Sequence, residues 1–382
     1  MQMDFNLTKE QEFVRKLVRE FAKNEVEPIA ADVDNEHRFP AENVEKMAKL
    51  GMLGIPFPKE WEGAGGDNLS YAIAVEELSR VCATTGVIVS AHTSLCAWPI
   101  FQYGTEEQKK KYLPDLCSGR KLGAFGLTEP NAGTDAAGQQ TRAVDMGDYY
   151  LLNGSKIFIT NGGVADTFCI MAMTDKSKKT RGISSFIVEK SMDGFSTGKI
   201  EDKMGIKGSS TAELVFKDIK VPKENMLGNP GDGFKVAMTT LDGGRIGIGA
   251  QALGIAQGAF DVTLDYMKAR KQFGKRLADM DALRFVMAEL ATEIDAGRML
   301  LYRAAWSKDQ HLPYGKDAAM AKYFCSELAM KVTTKCVQLH GGYGYTRDYP
   351  VERMMRDAKI TEIYEGTTEA QKLVIAGSVF GK

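Results

Sequence analysis

A chain of 382 residues corresponds to two or three domains at about 150 residues each, which excludes a lone small binding module. Apolar residues at 44% and charged residues at 26% exclude general disorder. With 49 Lys and Arg against 50 Asp and Glu, the net charge is −1, and no basic stripe offers the surface that a phosphate backbone needs, which speaks against nucleic acid. There is no apolar run of membrane-spanning length, and Met1 to Glu10 lacks a signal-peptide pattern, so the expectation is a soluble, cytoplasmic protein. The six cysteines form no C-x-x-C pair and the four histidines no H-E-x-x-H spacing, so buried reduced thiols are expected and no metal site.

In chain order the first signal is helical. Thr8 and Gln11 form a capping box, and Phe13, Val14, Leu17, Val18 and Phe21 recur on one face up to Pro28. Helices are also expected over 41–50, 70–82, 84–103 and, after a second capping box at Thr105 and Gln108, 109–116. An irregular loop lies around Trp61. From about Leu122 to Pro222 the pattern turns to strands: 149–152 and 156–160 joined by a tight Asn153-Gly154 turn, then 167–173, 183–188 and 213–221. Their spacing leaves no room for helices between them, which points to a small barrel or sandwich rather than a parallel βαβ sheet. Long helices are expected over 234–268, 282–308 and 316–339, as an antiparallel bundle. A last helix should start after Thr367 or Thr368, on a capping box of Thr368 with Gln371. The expected domains are 1–121 (helical), 122–230 (β) and 231–382 (helical).

Gly247-Ile248-Gly249-Ala250-Gln251-Ala252 fits G-x-G-x-x-A, but no strand precedes it, so the glycines read as close helix packing. The lysine clusters at 109–111 and 176–181 read as solvated faces. Four segments carry more. The loop from Phe125 to Asp135 is dense in turn formers and hydroxyls, suited to facing a ligand. Lys156 to Gly163 ends a strand in a polar turn, which presents an aromatic face and a hydroxyl to a planar group. Asp242 and Arg245 share a helix face beside two glycines. Glu365, after Ile363 and Tyr364 and before Gly366, is a carboxylate whose pKa an apolar pocket would raise toward that of a base working near neutral pH.

Together and in order these segments resemble the acyl-CoA dehydrogenase family over essentially the whole chain. The resemblance rests on Pro58 to Gly66, the T-E-P-x-A-G-T-D loop at Thr128 to Asp135, I-T-N-G-G at Ile159 to Gly163 and Arg270 to Gly274. It continues through Gln338 to Gly342, Arg356 to Ile360 and Ile363 to Thr367. The Leu241 to Gly247 segment is most similar to the short-chain, butyryl-CoA branch.

The resemblance implies an α+β fold with an N-terminal α-helical domain, a middle β-barrel or sandwich and a C-terminal four-helix bundle. It also implies a homotetramer with one FAD per subunit, and electrons passed to an electron-transferring flavoprotein. Phe125, Leu127, Thr128, Gly133, Thr134, Phe158, Ile159 and Thr160 inherit flavin contacts, as do Thr367, Thr368 and Glu369. Arg270, Phe273, Gln338, Leu339, Gly341 and Gly342 resemble residues that reach a neighbouring subunit's FAD, with Asp281 where a Gln is common. Asp242, Arg245, Gly366 and Thr134 border the acyl-CoA. Glu365 would take the pro-R α-proton while the β-hydrogen leaves as hydride to the flavin. Its backbone N–H and a ribityl hydroxyl would polarise the thioester carbonyl. A branched short-chain dehydrogenase and a flavin acyl-CoA oxidase are the neighbouring possibilities.

Overall fold

The computed structural model describes residues 6–381; the leader reading over Met1 to Glu10 therefore falls partly outside the described residues. The N-terminal helices are α1 (Lys9–Phe21), α2 (Ala30–Asn35), α3 (Ala41–Lys49), α4 (Asn68–Ser79), α5 (Ala83–Ser90), α6 (Trp98–Tyr103) and α7 (Glu106–Ser118). Both expected capping boxes are formed. Gln11 N–H donates to Thr8 Oγ1 at 3.2 Å and Thr8 N–H to Gln11 Oε1 at 2.9 Å, and Thr105 and Gln108 repeat the exchange. The first helical run does not stop at Pro28. It passes through a π-turn (Ala22–Val26) and a 3-10 turn (Glu27–Ile29) into α2, with Pro28 in the first turn of the short segment, where its missing N–H loses no bond. The helix expected over 84–103 is likewise interrupted, by a π-segment at Ala91–Ala97 between α5 and α6.

The middle block holds β1 (Gly123–Gly126), β2 (Arg142–Asp145), β3 (Tyr149–Ile159), β4 (Thr167–Met173), β5 (Ile183–Glu189), β6 (Phe195–Ile200), β7 (Ala212–Pro222) and β8 (Met226–Leu227). Strand order is β6-β7-β3-β2-β4-β5-β8, with β1 beside β4. A single residue pair, Arg142 with Met173, joins the β6-β7-β3-β2 wing to the β4-β5-β8 wing, which gives the block its sandwich character. The expected hairpin at Asn153-Gly154 is corrected: β3 runs straight through it. The two residues form a bulge against β7, where Asn153 Oδ1 accepts from Asp218 N–H at 2.9 Å and Gly154 takes φ +142. Only glycine fits there, because a Cβ on Gly154 would come within 2.8 Å of the Thr141 Cα. The pairing is mostly antiparallel, but β1 and β2 each run parallel to β4, and between β1 and β4 lie the β2–β3 hairpin and one short 3-10 turn rather than an α-helix.

The third block is α8 (Gly233–Ala269), a hairpin of β9 (Lys271–Gln272) and β10 (Lys275–Arg276), α9 (Asp281–Asp309), α10 (Gly315–His340), α11 (Val351–Lys359) and α12 (Thr368–Phe380). The long helices form where the periodicity placed them; α11 was not foreseen. The glycines of α8 serve close packing. A Cβ on Gly258 would lie 1.9 Å from the Arg80 carbonyl oxygen, and one on Gly247 2.3 Å from Ser90 Oγ. At α11 the three blocks are clasped together. Arg356 binds Asp34 of α2 at 2.6 Å and donates to the Met204 carbonyl, while Asp357 accepts the Ile206 N–H at 2.5 Å.

Candidate active site

Glu365 and Gly366 occupy the turn between α11 and α12, both with positive φ (+53 and +94). The turn is held from two helices. Lys322 of α10, with no exposed surface, donates from Nζ to the Gly366 carbonyl at 2.6 Å, and Gln371 Nε2 donates to the Gly366 and Glu365 carbonyls at 2.9 and 3.2 Å. The expected capping box at Thr368 and Gln371 is thereby corrected. Thr367 is the N-cap, its side chain accepting the Ala370 N–H, and Gln371 is drawn back to the carbonyls of the turn.

The Glu365 residue is half-buried, but its Oε2 is sealed from solvent and has no hydrogen-bond partner. Burial raises its pKa to about 7, against the opposing pull of the Lys322 and Arg245 cations. Gly244 of α8 makes the space. A Cβ there would lie 2.2 Å from Glu365 Oε2 and 2.8 Å from Leu95 Cδ2. Arg245, one residue on, is ion-paired with Asp242 and leaves its buried Nε unpartnered. The Tyr364 hydroxyl donates to Gln251 Oε1, fixing the strand of chain before Glu365. The Glu365 N–H engages no carbonyl of the described residues. Glu365 and Gly366 thus lie beside Arg245, with Asp242 paired to it.

The second cluster lies on the β block. Lys156 of β3, with no exposed surface, binds Glu129 Oε1 at 2.7 Å and also donates to the Leu127 carbonyl and Gln139 Oε1. Glu129 in turn accepts the Gln140 and Thr141 N–H groups, and the Ile157 N–H donates to the Thr128 carbonyl at 2.9 Å. Burial lowers the Lys156 pKa to about 8, whereas the Lys156 cation and the N–H groups hold Glu129 below its usual range. This knot joins the loop carrying Leu127 and Thr128 to the strand end carrying Phe158, Ile159 and Thr160, with Phe125 on neighbouring β1. Sequence reasoning missed both Lys156 and Lys322. The available signal for each was a lysine at a position the local period assigns to the buried face.

These residues fit a flavin. Phe158 is 59% exposed at φ +58, a planar face beside the half-buried Thr128 and Thr160, and buried Thr368 Oγ1 has no partner. Gly133 and Thr134 are exposed farther along the same loop. The remaining expected contacts lie elsewhere. Phe273 is 96% exposed on the β9–β10 hairpin just after Arg270, Gln338 and Leu339 lie at the end of α10, and Gly341 and Gly342 open the 3-10 turn that follows it. The Arg270 guanidinium covers the Tyr343 ring at 5.4 Å. Asp281 opens α9, exposed and paired with Arg284 at 3.0 Å.

Comparison with known proteins agrees with this geometry. Residues 8–120, 124–219 and 231–380 match the N-terminal, middle and C-terminal acyl-CoA dehydrogenase domains. The chain belongs to the acyl-CoA dehydrogenase family, which are flavin-dependent oxidoreductases. It is 66% identical over 378 residues to a short-chain specific acyl-CoA dehydrogenase of Clostridium acetobutylicum, covering 99% of this chain and 100% of that one. The solved butyryl-CoA dehydrogenase of Megasphaera elsdenii superposes with a TM-score of 0.98 at 53% identity, covering 99% and 100%. A chain solved in a study of the electron transferring flavoprotein of Acidaminococcus fermentans and flavin-based electron bifurcation gives 0.98 at 55% identity, covering 100% of both.

Proposed function

We propose that the protein oxidises a short-chain acyl-CoA, butyryl-CoA best, to the trans-2-enoyl-CoA, with FAD as cofactor and Glu365 as base. The observation that carries this is the buried, unpartnered Glu365 Oε2, facing the space that Gly244 leaves open. FAD, when bound, supplies the acceptor for the β-hydrogen as hydride. The chain does the rest. Glu365 takes the pro-R α-proton onto its carboxylate, and the pair left at the α-carbon becomes the new double bond as the β-hydrogen departs. Its N–H, which meets no backbone carbonyl among the described residues, polarises the thioester carbonyl in this reading, which acidifies the α-carbon. Arg245 and Asp242 border the acyl-CoA, and burial keeps water from Glu365 Oε2.

Phe125, Leu127, Thr128, Gly133, Thr134, Phe158, Ile159 and Thr160 hold the flavin, with Thr367, Thr368 and Glu369 alongside. The exposed Phe273, Gly341 and Gly342, with Arg270, Gln338, Leu339 and Asp281, reach that of a neighbouring subunit in a homotetramer. Exposed Phe285, Leu373 and Phe380 on the C-terminal block support an assembly. An electron-transferring flavoprotein accepts the electrons in the cytoplasm. The domain division at 121/122 and 230/231 is supported by the change to strand at Gly123 and back to helix at Gly233.

Bleaching of the bound FAD by a C3 to C8 acyl-CoA series tests the reading. The fastest bleaching is expected at C4, and an optimum at C8 contradicts it.

A further inference from the structure

We propose that Lys322 is a positioning residue for Glu365: its ammonium pins the Gly366 carbonyl, fixing the left-handed turn that aims the carboxylate, and supplies a positive charge that favours the ionised Glu365. This deepens the reading of Glu365 as base and rests on it.

Lys322 lies in the buried face of α10 between Ala318 and Ala319 on one turn and Cys325 and Ser326 on the next, all without exposed surface. A fully buried ammonium is retained only against strong compensation. Here its one hydrogen-bond acceptor is the Gly366 oxygen at 2.6 Å. It makes no ion pair with Glu365 within 4 Å, so the carboxylate feels the charge without its Oε2 being occupied. A direct bond would stabilise the anion too, but would block the lone pair that must take the proton. Gln371 holds the same turn without carrying charge. The groups that face Glu365 are Lys322 from α10, Arg245 from α8 with Asp242 beside it, Tyr71 from α4, and Tyr364 on its own segment. Burial lowers the Lys322 pKa to about 8, against the pull of Glu365, Glu362 and Glu369, so the ammonium is present across the acidic limb and is lost above it. Arg245 shares its charge with Asp242 at contact, which leaves Lys322 as the cation without a carboxylate partner.

The test is the pH profile of kcat/KM with butyryl-CoA for wild type, Lys322→Met and Lys322→Arg, with FAD content and melting temperature recorded for each. Lys322→Met is expected to move the acidic limb up by about one pH unit, a loss of about five-fold at pH 7 that recovers by about pH 9. Lys322→Arg is expected to leave the limb in place. A Met variant whose limb does not move, whether or not its rate falls uniformly, overturns the proposal, as does an Arg variant that shifts equally. If Lys322→Met does not fold, Lys322→Gln, which keeps a donor for the carbonyl, reads the charge by the same limb. Glu365→Gln run alongside separates the two claims. Wild-type turnover in that variant removes the base assignment itself, whereas an inactive Glu365→Gln with an unmoved Lys322→Met limb removes only the role of Lys322.

Discussion

Glu365, proposed as the base, can take a proton only when ionised, and its raised pKa of about 7 fixes the sign of the pH dependence expected. Turnover of wild type is expected to rise with pH through about 7 and then level; a rate flat from pH 5 to 9 would contradict that. The surrounding residues were legible in unequal measure. Glu365 was found because its neighbours and motif lie in one short segment. Lys322 and Lys156 were not, because a lysine reads as a surface residue until three-dimensional packing shows its ammonium sealed. Lys156 matters to the loop of Leu127 and Thr128 in a way that can be measured. Removing Glu129 leaves a buried cation without its partner, so Glu129→Ala is expected to destabilise the protein by about 3–5 kcal/mol in urea unfolding and to weaken FAD retention. A change under about 1 kcal/mol would show that water reaches the site.

Among the elements, those set by local chemistry followed the sequence and those set by partners did not. The capping boxes of α1 and α7 formed because each needs only residues three apart. The third was lost because two carbonyls of the Glu365 turn compete for Gln371. Asn153-Gly154 has the composition of a hairpin turn, yet β7 pairs on both sides of it and makes it a bulge. Two glycines of α8 separate packing from chemistry. Gly258→Ala drives a methyl into the Arg80 backbone and is expected to lower the melting temperature by several degrees. Gly244→Ala meets only the mobile ends of Glu365 and Leu95. It should melt near wild type while losing most turnover, and full activity would place the carboxylate elsewhere.

At the scale of the whole molecule, the three blocks and their order were readable from where the hydrophobic period changes, but the contacts between blocks were not. The clasp at Arg356 and Asp357 is an example: its motif was visible, its partners Asp34, Met204 and Ile206 lie far off in sequence. Burial raises the Asp357 pKa to about 6, so the folded state favours the protonated acid. That contribution is present below about pH 4 and lost as pH rises through 6. Stability of wild type relative to Asp357→Asn is therefore expected to fall by about 2 kcal/mol from pH 4 to pH 7. Parallel curves for the two proteins would contradict it. The central claim concerns what the assembled site does: a short acyl-CoA loses its α-proton to Glu365. Anaerobic mixing of butyryl-CoA with FAD-loaded wild type and Glu365→Gln tests it most directly. Rapid bleaching is expected of the wild-type flavin, and a Glu365→Gln protein that stays yellow with normal FAD content; bleaching of that variant at the wild-type rate would contradict the assignment.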